Sequence, residues 1–195
     1  MNDINNEEEN INSQIKYENS NIYKVIKSIC KISYTNKYTF GFLIKLNIEG
    51  KEIYCLITNG HIITNEMIES NEIISLYYDI NNKLIKIKLD KNERFIKIDI
   101  DMHIMLIEII MKDNIEEEFF LLPNMNKINY INEDIYIPQY PNGRNIKYSK
   151  GKIKNINNHE LIYDLNSKLN SSSFPILLTN TTTVIGIKIK KIFII

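Results

Sequence analysis

From Tyr23 onward the sequence is a succession of short β-type runs separated by turn residues. Val25–Ser33, Thr39–Leu46, Glu52–Thr58, Ile73–Tyr78, Leu84–Leu89, Phe95–Ile98 and Met102–Ile110 form a first series. Asp134–Pro138, Asn145–Ile156, Glu160–Leu165, Pro175–Leu178 and Thr183–Lys190 form a second. Regularly spaced strands with turn residues between them predict an all-β sandwich or barrel. Asn47-Ile48-Glu49-Gly50-Lys51 reads as a hairpin turn, as does Asn81-Asn82. Ile62–Glu69 reads as one short helical turn. Sustained 3.6-residue periodicity, the mark of an amphipathic helix, is not expected anywhere else.

Composition supports strands. Isoleucine is about one residue in five and alanine is absent, which favours a pleated surface over a helix. The 24 basic residues balance the 24 acidic ones, so no global field attracts nucleic acid or an anionic membrane. No apolar run approaches the ~20 residues of a membrane-spanning helix. Met1–Glu9 is polar and acidic, unlike a secretory leader. Two cysteines do not make a disulfide framework. The expectation is a cytoplasmic or intracellular protein with both thiols reduced.

The organisation expected is a flexible tail over 1–20, a first β-unit over 21–112, a connection over 113–126 and a second β-unit over 127–195. The connection carries Glu116-Glu117-Glu118, read as a solvated face, followed by Phe119-Phe120-Leu121-Leu122.

Two stretches carry chemistry. In Tyr54-Cys55-Leu56-Ile57-Thr58-Asn59-Gly60-His61-Ile62-Ile63 an apolar strand ends in Asn-Gly and a histidine follows. A histidine presented at a strand end can face a cleft and titrate near neutral pH. The plain alternative is a surface histidine in a loop. In Asn170-Ser171-Ser172-Ser173-Phe174-Pro175-Ile176, small hydroxyl residues precede a Pro-led strand. A tight loop there can aim successive backbone N–H groups into one space and present a hydroxyl as nucleophile. The plain alternative is a polar turn.

Taken together, these stretches resemble the trypsin/chymotrypsin-like serine peptidases, and more closely the intracellular peptidase domains of that type in microbial eukaryotes. The resemblance runs from about Ser28 onward. Thr39-Phe40-Gly41-Phe42 is similar to the family's opening hairpin, and Leu56–Ile63 to its histidine motif. Tyr136-Ile137-Pro138-Gln139-Tyr140-Pro141-Asn142-Gly143 with Tyr148-Ser149-Lys150-Gly151 is similar to the start of the second barrel. Val184-Ile185-Gly186-Ile187 resembles the strand after the serine loop.

The resemblance implies two six-stranded antiparallel β-barrels packed with a cleft between them, and peptide-bond hydrolysis through an acyl-enzyme. His61 would be the general base and Ser172 the nucleophile, with Ser171 the alternative if the loop shifts by one. The backbone N–H groups of Asn170 and Ser172 would form the oxyanion hole. A peptide or protein is the implied substrate. No cofactor is implied, and the scattered His61, His103 and His159 suggest no metal.

The chain departs from the family pattern in three places. Asn170 and Ser173 stand where the serine loop has glycines. His103 aligns with the family's aspartate, leaving Asp101, two residues earlier and on the same face by strand alternation, as the candidate acid. Lys188-Ile189-Lys190-Lys191 follows Gly186. It reads as a sheet edge protected by lysine, with a basic rim for acidic substrates as the alternative. A catalytically impaired relative acting as a protein-binding module is the second functional reading.

Overall fold

The computed structural model describes residues 21–35, 37–60, 63–78, 83–124, 129–140, 146–157, 160–165, 174–188 and 192–194. Helix α1 spans Asn21–Ser28 and leads into β1, Ile29–Tyr34. Next come β2, Lys37–Ile48, and β3, Lys51–Asn59. Helix α2 is Asn65–Glu69. Strands β4, Ile73–Tyr78, β5, Lys83–Lys88, β6, Ile96–Asp99, and β7, Ile104–Glu108, complete the first series. Two short 3₁₀ turns, Met111–Asp113 and Glu117–Phe119, cross to the second. There β8 is Leu122–Pro123, β9 Asp134–Gln139, β10 Lys147–Asn157, β11 Glu160–Leu165, β12 Phe174–Leu178, β13 Thr183–Lys188 and β14 Ile192–Ile194.

The first sheet runs β5-β4-β1-β2-β3-β7-β6. In the second, the order β12-β9-β10-β11-β14-β13 closes on itself because β12 also pairs with β13. Six antiparallel strands therefore form a ring, and β8 adds to β13 in parallel. This is the double-barrel architecture implied by the sequence, with a seventh strand in each sheet.

Local chemistry explains the hairpins. β2 and β3 pair up to Ile48↔Lys51, leaving a two-residue loop. Glu49 and Gly50 both take positive φ, 52° and 82°, the geometry that matches strand twist. Asn47 Oδ1 fixes the loop by accepting from Gly50 N at 3.0 Å.

The Val25–Ser33 run does not form one strand. Ile22, Val25, Ile26 and Ile29 recur at helical spacing, so the chain coils until Ser28, whose hydroxyl donates to Val25 O at 2.7 Å. Only then does it enter the sheet.

One apolar cluster, including Cys30, Leu43, Leu56, Ile74, Leu76, Ile87, Met105 and Ile107, fills the first barrel. A second joins Phe42, Ile44, Ile57 and Ile104 of the first sheet to Ile135, Ile137, Phe174 and Ile176 of the second. The two sheets therefore share a core.

The acidic run does more than face solvent. Glu116, Glu117 and Glu118 pair with Lys83, Lys45 and Lys27 at 3.0, 3.1 and 3.2 Å. Each exposed pair contributes about 1 kcal/mol at most. The backbone adds register: Leu121 N donates to Leu43 O at 3.0 Å and Lys45 N to Leu121 O at 2.9 Å.

Gly41 lies at a close approach of β2 to β3. A Cβ there would lie 2.4 Å from Ile57 O, a backbone atom with no room to move. Gly41→Ala is expected to cost about 1–3 kcal/mol, read as a lower urea midpoint with an unchanged slope. An unchanged midpoint would contradict the clash.

Candidate active site

The strand that leads to His61 is anchored on both sides of it. β3 ends at buried Asn59, and the chain re-enters the core at Ile63, which is fully buried. Gly60 N donates to His103 O at 2.9 Å. A Cβ at Gly60 would press on Ile104 O at 3.3 Å, so a small residue suits this approach. Thr64 then caps α2, its hydroxyl accepting from Met67 N at 3.4 Å.

The serine loop opens directly onto β12. Phe174, the residue after Ser173, is fully buried. His61, Asn170, Ser171, Ser172 and Ser173 themselves lie outside the described residues, as do the 1–20 segment, Asn81-Asn82, Pro141–Asn145 and His159.

What is described is the contact between their neighbours. Phe40 of β2 stacks on Tyr140 with ring centres 5.1 Å apart and planes 3° from parallel. It also meets Phe174 at 5.5 Å, and Tyr140 meets Phe174 at 6.2 Å. Thr58, three residues before His61, donates its hydroxyl to Phe40 O at 2.8 Å. Such ring pairs add about 0.5–1.5 kcal/mol beyond their area burial. The three rings join β2 to Tyr140 and to the start of β12, across the two sheets, and the Thr58 hydrogen bond ties the end of β3 to β2.

The acid position differs from the strand-alternation reading. β6 stops at Asp99 and β7 starts at Ile104, so residues 100–103 form the hairpin turn. Asp99 Oδ1 accepts from Met102 N at 2.9 Å, a side-chain-closed turn of the kind Asp favours. Asp99, Asp101 and His103 therefore do not share one strand face. Asp101 is exposed in the turn. His103 is exposed with φ of 54°, and its carbonyl is the one that holds Gly60.

A buried polar group of the second sheet escaped the sequence reading. Gln139 is fully buried and its Nε2 donates to Ser149 Oγ at 3.0 Å. Lys188 Nζ lies 3.5 Å from Gln139 Oε1. Burial pulls the Lys188 ammonium below its usual pKa. The Tyr148 hydroxyl is buried without a hydrogen-bond partner among the described residues, and burial pushes its pKa up. The only advance signal was polar residues at inward positions of otherwise apolar strands.

The thiols are chemically quiet. Cys30 and Cys55 are both buried and free. Burial raises Cys30, and burial followed by the charge of Glu108 pushes Cys55 up to about 12. Little thiolate exists near neutral pH, so neither thiol is a competing nucleophile. Among the described residues no cluster of His, Cys, Asp and Glu is able to hold a metal ion. No described helix is long and apolar enough to cross a membrane.

The sequence matches no family model and no curated protein sequence. Solved structures do resemble the chain. Deg5 superposes with a TM-score of 0.62 at 13% identity, over 89% of this chain and 86% of that one. A serine endoprotease from Yersinia pestis gives 0.61 at 12% identity, over 90% of this chain. The chain spans 58% of that protein's length. The active form of the Rv3671c protease from M. tuberculosis gives 0.59 at 14% identity, over 89% and 78%. At these identities the likeness shows the fold, a chymotrypsin-like double β-barrel.

Proposed function

We propose that the chain is a serine endopeptidase that cleaves polypeptides through an acyl-enzyme. The observation that carries this reading is the Phe40–Phe174 contact. It joins β2, to which Thr58 near the end of β3 is hydrogen-bonded, to the first residue of β12, from opposite sheets of a protease-like fold. In the proposed reaction His61 Nε2 takes the Ser172 proton as Oγ attacks the substrate carbonyl carbon. The backbone N–H groups of Asn170 and Ser172 hold the oxyanion. The imidazolium then protonates the leaving amine, and water completes the cycle by the same route. Asp101 is assigned to orient His61. Ser171 replaces Ser172 as nucleophile if the loop is shifted by one residue.

A second reading, a protein-binding module without turnover, is favoured by one placement. His103, not an acid, is the residue whose backbone sits against Gly60. The substituted loop glycines point the same way, since a Cβ disfavours the conformations that an oxyanion loop adopts.

A fluorophosphonate probe separates the two. The peptidase reading expects covalent labelling of the folded protein at Ser172, abolished in Ser172→Ala and in His61→Ala. Labelling at Ser171 moves the nucleophile by one residue. No labelling of protein with a native circular dichroism spectrum overturns the enzyme and leaves the binding module.

A further inference from the structure

We propose that the outer face of β5, β4, β1 and β2 is a docking surface for the chain's own acidic segment, with Lys31 and Lys86 receiving Glu7-Glu8-Glu9. Residues 1–20 lie outside the described residues. The receiving face is built entirely from described ones, and it does not depend on the peptidase reading.

Strand register assembles the face. Tyr77 of β4 is opposed by Leu84 of β5 on one side and by Lys31 of β1 on the other. Ser75 is opposed by Lys86 and by Ser33, and Ser33 by Tyr38 of β2. Directly opposed residues share one face of a sheet. The alternate residues of these strands, Ile32, Ile74, Leu76 and Ile87, are buried in the core of the first barrel. Isolated exposed apolar residues are ordinary. Here, however, Ile73, Leu84 and Tyr38, which are 54%, 50% and 51% exposed, stand on the same outer face. An apolar group rimmed by polar side chains points to an interaction surface.

The charge on this face is of one sign where it is unpaired. Lys31 and Lys86 are exposed and have no carboxylate partner among the described residues, unlike Lys27, Lys45, Lys83 and Lys88. Lys31 Nζ lies 4.8 Å from the centre of the Tyr38 ring, over the face itself. Lysine on an edge strand guards against stray strand pairing, and that accounts for Lys86 on β5. It does not account for Lys31, because β1 is paired on both sides.

The sequence supplies the occupant. Residues 1–20 carry five of the 24 acidic residues and one of the 24 basic ones, so they hold a net charge of −4 and residues 21–195 a net charge of +4. Glu7-Glu8-Glu9 stands between Ile4 and Ile11. Acidic groups flanked by apolar ones complement Lys31 and Lys86 beside Leu84 and Ile73. The reach is sufficient. Helix α1 is eight residues long and leads directly into β1. Asn21 and Lys31 are therefore at most about 25 Å apart, at 1.5 Å per helical residue and about 3.4 Å per strand residue. The stretch from Glu9 to Asn21 can span about 40 Å. Such a tether keeps the acidic run near the face at roughly mM effective concentration, so a weak contact suffices.

The test places a nitroxide on Asn10→Cys in the full chain. Cys30 and Cys55 are buried and escape labelling. Backbone amide signals of the isotope-labelled protein are then recorded by NMR. The amides of Lys31, Ser75, Tyr77 and Lys86 are expected to lose at least about half their intensity, and to regain it in about 0.5 M NaCl, where the screening length is about 4 Å. Changing Glu7, Glu8 and Glu9 together to Gln leaves every residue of both sheets intact and should abolish the loss. Lys31→Gln with Lys86→Gln should do the same. No loss on these strands, or a loss that persists in the triple Gln variant, overturns the proposal. A loss seen when the nitroxide and the isotope are on separate, mixed molecules means that a second copy supplies the segment, and overturns docking within one chain. Binding of the wild-type chain to phosphatidylserine vesicles, with no loss in the nitroxide experiment, assigns the face to an anionic membrane and overturns it equally.

Discussion

Ser172→Ala is expected to lower kcat/KM on a peptide substrate on the order of 10⁶-fold, the scale seen when a serine nucleophile is removed from an intact triad. The size of the drop reports on the acid. Without a carboxylate to fix the His61 tautomer, turnover starts ~10⁴-fold lower. The same substitution then removes only about 10²-fold, because the residual oxyanion and binding contributions remain. Asp101→Asn separates the cases. If Asp101 orients His61, this change alone costs ~10⁴-fold. If Asp101→Asn is silent, the exposed turn side chain is not the orienting group. His103→Asp is then the informative variant, because the His103 backbone already holds Gly60. A gain of activity in His103→Asp would show that the fold kept the place for an acid and the sequence lost the residue.

The barrels were legible because their signals are local. Glu49-Gly50 sits between two alternating runs and needs positive φ at both residues, and the hairpin forms there. Ile73–Tyr78 and Glu160–Leu165 form strands over the residues their patterns suggest. Helix α1 was missed although its spacing was present. Ile22, Val25, Ile26 and Ile29 are spaced i, i+3, i+4, i+7, but the run continues into β1 without a Gly or Pro, and β-branched residues dominate it. Strand propensity and helical period conflicted over these residues, and packing decided.

The strand alternation through Asp101 was misread for a different reason. Asp99-Ile100-Asp101-Met102-His103 contains no Gly or Pro, so alternation was carried straight through it. The Asp99 side chain closes the turn by itself. Asp in an apolar run is a turn signal as well as a candidate catalyst, and the sequence gives no way to rank the two. The shared aromatic contact of Phe40, Tyr140 and Phe174 was not legible either. It joins residues about a hundred and more positions apart, through pairings that no local pattern encodes.

The largest stability effect is expected at Asp113. Arg94 Nη1 and Nη2 donate to Asp113 Oδ2 and Oδ1 at 2.7 and 3.1 Å, and the two side chains are only 1% and 4% exposed. Nη1 also donates to Glu108 O at 2.8 Å, and Ile110 N donates to Asp113 Oδ2 at 2.9 Å. The pair therefore clamps the end of β7 to the start of the connection between the sheets. Asp113→Ala strands a buried guanidinium and should cost about 3–5 kcal/mol. Asp113→Asn keeps the shape but loses the charge, and should fall between. Replacing both partners, Arg94→Met with Asp113→Leu, should recover most of the loss, because two apolar side chains leave no charge to solvate. Urea unfolding of the three variants gives the comparison. A loss below about 1 kcal/mol in Asp113→Ala would mean that water reaches Arg94 at a cost typical of an exposed pair. The clamp lies at the far end of the β6–β7 hairpin from the turn that holds Gly60. Folded Asp113→Ala, assayed well below its melting range, should therefore react with the fluorophosphonate at the wild-type rate. A slowed rate would show that the strain travels along the hairpin to the site.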